Sequence, residues 1–245
     1  MENRNADRMP PVIRVFLSST FSDMERERTY FNEELSPKIS RICAQRGVSF
    51  FSVDLRWGIT QEEQINGQVL PICLSEIDKC RPYFIGILGS RYGSVLETVP
   101  EQLGNSIPWL RGREGKSITE LEMLYAVLEH SEPIANCAFY FRDPALSEEW
   151  YGDIEEEVRL TRLKERIRGN ADIPGADYDS LEVFGQRVMA DILGWLDREF
   201  PEPERAGQVR RQWYNGELLR NYMPVPGHQR FLDAYLRESD RSLLF

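Results

Sequence analysis

Histidine is nearly absent from this 245-residue chain, which contains only His130 and His228. That scarcity argues against a histidine-rich metal site and leaves a Ser-His-Asp triad without its usual base. Both histidines read as surface residues. The four cysteines, Cys43, Cys73, Cys80 and Cys137, form no C-x-x-C pair, and each sits in an apolar run. They read as buried free thiols in a reducing compartment rather than as disulfides or metal ligands. Basic charge is also short, with 30 Lys and Arg against 40 Asp and Glu, for a net charge of −10. A protein that coats nucleic acid needs a basic surface, so no direct nucleic-acid partner is expected. A small anion held by a few arginines and backbone amides stays compatible with that charge. No apolar run approaches the roughly 20 residues of a membrane span, and "MENRNADRMPP" is too polar for a signal peptide. These absences predict a cytosolic protein with no membrane partner.

What is present is a packed chain. Hydrophobic residues make up 41% and aromatics 11%, enough for one full-sized domain with appendages or two small ones. "VIRVFLS" (12–18), "VSFFSVDL" (48–55), "YFIGIL" (83–88) and "NCAFYF" (136–141) read as buried strands. Helices are predicted from Asp23 to about Gln45, kinked at Pro37; over "LPICLSEIDKC" (70–80); from Ser117 to about His130; and over 153–169 and 180–200. Apolar strands alternating with helices imply a doubly wound, mainly parallel α/β layer, which binds ligands at the carboxyl ends of its strands. Beyond residue 200 a Pro-rich break leads into a charged segment that closes on an amphipathic stretch. The division is therefore an α/β domain over 12–200 and a linker or helical arm over 201–245.

"RGREGKSITELEMLYAVLEH" (111–130) invites a phosphate-loop reading, because Gly115-Lys116-Ser117 runs into a helix. The reading fails: a Walker A loop needs a glycine five residues before Gly115, and that position is Leu110. Ser117-x-x-Glu120 instead forms a capping-box pattern at the helix start. Glu122 lies roughly opposite Glu120 around the helix. Met123, Leu124, Val127 and Leu128 make most of that helix apolar, so a carboxylate here is either paired or functional. Two readings stand: a salt bridge to an arginine, or a catalytic carboxylate at the sheet's ligand edge.

The loops after the strands supply further candidates. Ser18-Ser19-Thr20 presents hydroxyls and amides where a helix begins, with Asp23 as its expected N-cap. Capping alone is the competing account. Arg56-Trp57 offers a cation and a stacking surface, unless Trp57 is simply a lid over the core. Arg91-Tyr92 is similar, and Gly89 and Gly93 permit close backbone approach there.

Taken together, "VFLSSTFSDMERER", "VDLRWGIT", "LPICLSEIDKCRPYFIGILGSRYG" and "SITELEMLYAV" resemble one family. It is the TIR-like domain of unknown function that begins NACHT- and STAND-type NTPases, including bacterial anti-phage defence proteins and animal NACHT and WD-repeat proteins. The resemblance covers about residues 12–200. The tail "NYMPVPGHQRFLDAYLRESDRSLLF" resembles that family's lead-in to its NTPase, which implies an NTPase beyond Phe245.

The resemblance implies a flavodoxin-like layer of the TIR or nucleoside-deoxyribosyltransferase type. In such relatives a helix glutamate serves N-glycosidic cleavage of NAD or a nucleoside, and the "E-x-x-Y-A" match places Glu122 in that role ahead of Tyr125 and Ala126. Glu120 is the second candidate carboxylate. Ser18, Ser19, Thr20, Arg56 and Arg91 are the expected phosphate or ribose ligands, and Trp57 or Tyr92 the stacking surface. An oxocarbenium-like ribosyl centre needs a carboxylate and no metal, so NAD or a nucleotide enters as substrate, with no cofactor. The implied partners are other copies of the domain, by self-association, and the chain's own downstream NTPase and sensor region. Because many TIR folds only assemble, a non-enzymatic assembly module is the rival reading.

Overall fold

The computed structural model describes residues 10–55, 69–129, 135–146 and 153–201. The expected C-terminal arm over 201–245 lies outside the described residues, apart from residue 201. So do Arg56, Trp57, His130 and His228.

Five strands form one sheet: β1 (Val12–Ser19), β2 (Ser49–Val53), β3 (Tyr83–Leu88), β6 (Asn136–Arg142) and β7 (Gly175–Tyr178). All neighbours are parallel, in the order β2-β1-β3-β6-β7. A separate two-stranded antiparallel ribbon joins β4 (Val95–Leu96) to β5 (Lys116–Ser117). With that ribbon set aside, the order is the 2-1-3-4-5 of a flavodoxin-like doubly wound layer.

Side chains alternate across the sheet, and the sequence supplies apolar groups to both sides. Phe16, Phe84, Phe139 and Phe141 pack with Leu74 and Ile77 of α3 (Val69–Cys80), Leu121 of α5 (Ile118–Met123) and Leu163 of α6 (Ile154–Arg168). Val15, Leu17, Ile85 and Tyr140 face the other way. They meet Ile39 of α2 (Ser36–Gln45) and Phe184, Val188 and Ile192 of α7 (Leu181–Glu199). Gly86 is needed on the first face: a Cβ there would lie 2.5 Å from the Phe139 ring.

The four expected strands are present, and the expected helices form with small differences in their bounds. Pro37 does not simply kink its helix. α1 (Glu25–Tyr30) passes into a wider π turn, Phe31–Leu35, before α2, which gives room where proline's ring and missing N–H disrupt the α ladder. The helix beginning at Ile118 likewise turns to π geometry over Leu124–Leu128. Three further elements have no counterpart among the expected strands and helices: β7, α4 (Glu101–Ser106) and the β4–β5 ribbon. β7 is the four-residue edge strand Gly-Ala-Asp-Tyr, with only Tyr178 buried, so it carries almost no apolar signal. Asp23 also needs correction as an N-cap. Met24 occupies that position, with no side-chain cap, because the Asp23 carboxylate is engaged across the sheet edge.

Candidate functional site

In this strand order the topological switch falls between β1 and β3, so the crevice outside their carboxyl ends is the expected ligand position. β1 ends in Ser18-Ser19, and strand alternation sends these two hydroxyls to opposite faces. Ser18 donates to Glu122 Oε2 at 2.6 Å on the α5 side. Ser19 faces α1, where Arg28 Nε donates to its Oγ at 2.6 Å and Arg28 Nη2 to its carbonyl at 2.7 Å.

Two buried clusters fix the β1 end. Arg28 forms an ion pair with Asp54, at the end of β2, and both side chains are almost fully enclosed. Asn32 donates to Asp54 at 2.9 Å and accepts from Ser52 at 3.1 Å, so α1 and the π turn are stitched to β2. On the other side, Asp23 Oδ1 accepts from Thr20, while its Oδ2 accepts from the amides of Ser90 at 2.8 Å and Arg91 at 3.1 Å. Gly89 makes this approach possible, because a Cβ there would lie 2.4 Å from Asp23 Oδ2. Arg142 pairs with Asp23 at 3.4 Å and with Glu27 at 3.3 Å, and Tyr178 donates to Glu27 at 2.9 Å. The loops after β1 and β3 are thereby held together.

Between these braces lies a cavity of about 520 Å³. Ser19 lines it from the end of β1, Thr20 and Phe21 from the loop after it, Arg28 from α1, Cys73 from α3, Arg91 and Gly93 from the β3 loop, and Thr119 and Glu122 from α5. Phe21 sits at its wall, 36% exposed, with the Arg28 guanidinium 5.0 Å from its ring centre. Glu122 is 7% exposed. Burial pushes its carboxyl above the usual range, while hydrogen bonds from Ser18 and Cys73 and the charge of Arg28 act in the opposite direction. Among the described residues, no lysine or arginine forms an ion pair with Glu122. Cys73 is pushed well above the thiol range, first by burial and then by the Glu122 charge, so it is a neutral donor and not a thiolate nucleophile.

The structure therefore gathers Ser19, Thr20, Arg91 and Glu122 around one cavity, while Ser18 lies buried behind its wall and touches it only through Glu122. Glu120 and Tyr92 lie elsewhere. Ser117 caps α5 by accepting from the Glu120 amide at 3.1 Å. The Glu120 side chain does not return to the cap. It accepts from Lys116 at 2.7 Å and from Tyr92, beside a smaller cavity of about 340 Å³ that also contains Arg159 and Arg162. Tyr92 is 2% exposed, its phenol raised by burial and by Glu120. Arg28, Cys73 and Phe21 line the same cavity, and Asp54 holds Arg28, without having been singled out from the sequence for this site. Arg28 is hidden within the charge-dense "DMERER", which reads as a solvated helix face. Asp54 does carry a signal, as an acid at the carboxyl end of a strand. No group of three or more His, Cys, Asp or Glu among the described residues could hold a metal ion. None of their helices is long and apolar enough to cross a membrane.

A five-stranded parallel sheet in this order, with helices on both faces, defines the chain as a flavodoxin-like doubly wound α/β domain. Within that class it belongs to the family described as a domain of unknown function, DUF4062, whose profile matches residues 14–193. It is 30% identical to telomerase protein component 1 of Mus musculus over 217 residues, covering 78% of this chain and 8% of that protein. It is 26% identical to a TPR repeat-containing protein of Dictyostelium discoideum over 258 residues, covering 94% of this chain and 15% of the relative. A shorter match, 30% over 89 residues, covers 34% of this chain and 5% of NACHT and WD repeat domain-containing protein 2 of Mus musculus. The chain thus spans only a small part of these relatives, and domains like it occur within NACHT-type proteins.

Proposed function

We propose that this is a TIR-like effector domain of a STAND or NACHT-type defence or signalling protein. It hydrolyses the N-glycosidic bond of NAD or a related nucleotide when its parent protein assembles. The observation that carries the reading is Glu122: a carboxyl group on the wall of the switch-point cavity, braced by Ser18 and Cys73, with no cation paired to it among the described residues. As the C1′–N bond breaks, its electron pair leaves with the nicotinamide nitrogen, which becomes neutral. The ribosyl carbon gains oxocarbenium character, which an ionised Glu122 opposes across the cavity. Water then adds at C1′ and loses a proton, giving ribose-bearing product and free nicotinamide.

In this reading residues 201–245 link the domain to a downstream NTPase, and copies self-associate through their effector domains. Incubating the assembled protein with NAD tests it by release of free nicotinamide. Release lost in Glu122→Gln supports it, while turnover surviving that change defeats the assignment of Glu122. No turnover of NAD, ATP or nucleosides by assembled wild-type protein defeats the enzyme reading.

A second reading draws on the same burial, which favours the neutral acid. A protonated Glu122 hydrogen-bonded inside the wall suits a non-enzymatic assembly module. Self-association without turnover would establish that alternative.

A further inference from the structure

A second cavity, of about 490 Å³, opens beside the first at the same edge of the sheet. Ser22 and Arg91 line both, so they form a common wall. That wall is fixed, because Asp23 holds the amides of Ser90 and Arg91 from β1's side of the crevice. The second cavity has its own chemistry. Arg26 is an exposed cation on it, Glu25 and Asp179 offer carboxylates, and Leu146 and Leu181 provide apolar cover. Each cavity falls within the 300–1,000 Å³ range of small-ligand sites.

Two adjoining compartments separated by an arginine-bearing wall match a ligand made of two nucleoside halves joined by a diphosphate. We propose that the second cavity seats the distal half of a dinucleotide, with Arg91 meeting the diphosphate and Arg26 reinforcing it. Carboxylates at the rim accept hydrogen bonds from ribose hydroxyls, and the two leucines cover the second base. The proposal rests on the N-glycosidase reading and sharpens it, because nicotinamide mononucleotide would fill only the Glu122 compartment and AMP only the second.

Calorimetric titration of the Glu122→Gln protein with NAD, nicotinamide mononucleotide and AMP tests it without turnover. NAD should bind about tenfold more tightly than nicotinamide mononucleotide, the size expected of one added charge-assisted contact. AMP should compete with NAD but not with the mononucleotide. Arg26→Glu, on the second cavity alone, should weaken NAD more than the mononucleotide and so abolish the advantage of NAD. Equal affinities for NAD and mononucleotide, or equal weakening of both by Arg26→Glu, would overturn the two-compartment proposal while leaving the Glu122 site standing. Binding of neither nicotinamide compound would overturn the underlying reading and this proposal with it.

Discussion

Ser18, at the end of β1, donates to Glu122 across 104 residues of chain, at 2.6 Å and with its own side chain fully buried. One strand hydroxyl therefore sets the position of the carboxyl group on the cavity wall. It also offsets part of the burial that favours that group's neutral form.

The first prediction concerns stability. A glutamate whose folded pKa is raised binds its proton more tightly in the native state, so ionising it costs folding free energy. Below the ordinary carboxylate range both states are protonated and nothing is lost. As pH rises through the raised value, the native state bears the whole cost. Glu122→Gln should therefore raise the denaturant midpoint at neutral pH, and the gain should shrink to nothing by about pH 4. Unfolding curves of the two proteins across pH check this; a midpoint difference independent of pH would refute it.

The Arg28–Asp54 pair predicts a larger effect of opposite sign. Removing one member of a buried, hydrogen-bonded pair deprives the other of a direct charge partner. Arg28→Ala should thus cost about 3–5 kcal/mol. Arg28→Ala with Asp54→Asn should cost less than the sum of the two changes, because the two side chains interact directly and that contact can be lost only once. Chemical denaturation of the four proteins measures the coupling.

These residues also show what could be read from the sequence. The layer was legible because β1, β3 and β6 are apolar on both faces and separated by helical segments, which leaves few alternatives to a parallel sheet. Glu122 was legible as an acid on a mostly apolar helix. The pairing of Glu122 with Ser18 was not: it depends on which face of β1 meets α5, and β1 carries buried apolar side chains on both faces, so no alternation reveals it. Arg28 was missed for the opposite reason, since a buried arginine among exposed charges has the same local pattern as its neighbours. Glu120 followed local rules only in its backbone. Its side chain was captured by Tyr92, which is 28 residues away in sequence.

Gly86 gives a packing prediction. Its added Cβ would lie 2.5 Å from the Phe139 ring, with the Met123 methyl at 3.3 Å. Gly86→Ala should destabilise by about 1–3 kcal/mol through overpacking. Combining it with Phe139→Leu should recover part of that loss, because the smaller side chain vacates the contested space. A cost unaffected by the second change would place the strain elsewhere.

The four thiols predict a reactivity pattern. Cys43, Cys80 and Cys137 are each raised to about 11, chiefly by burial, and Cys73 is raised beyond them. All four are at most 5% exposed. At pH 8 a thiol reagent should label the native protein far more slowly than the denatured protein, which should release four reactive groups. Rapid native labelling of Cys73 would show that its bond to Glu122 is broken in solution.

The last prediction joins Ser18 to the proposed chemistry. An electrostatic stabiliser must be ionised, so activity requires the deprotonated form of a carboxyl group that burial has raised. The rate of nicotinamide release should then have an acid limb, rising with pH, centred above the ordinary glutamate value of about 4.3. Ser18→Ala removes a hydrogen bond that favours the carboxylate. The limb should therefore move to higher pH, while the rate above it falls only modestly. A merely structural role for Ser18 would lower the rate equally at every pH and leave the limb in place. The pH profile of the variant separates the two.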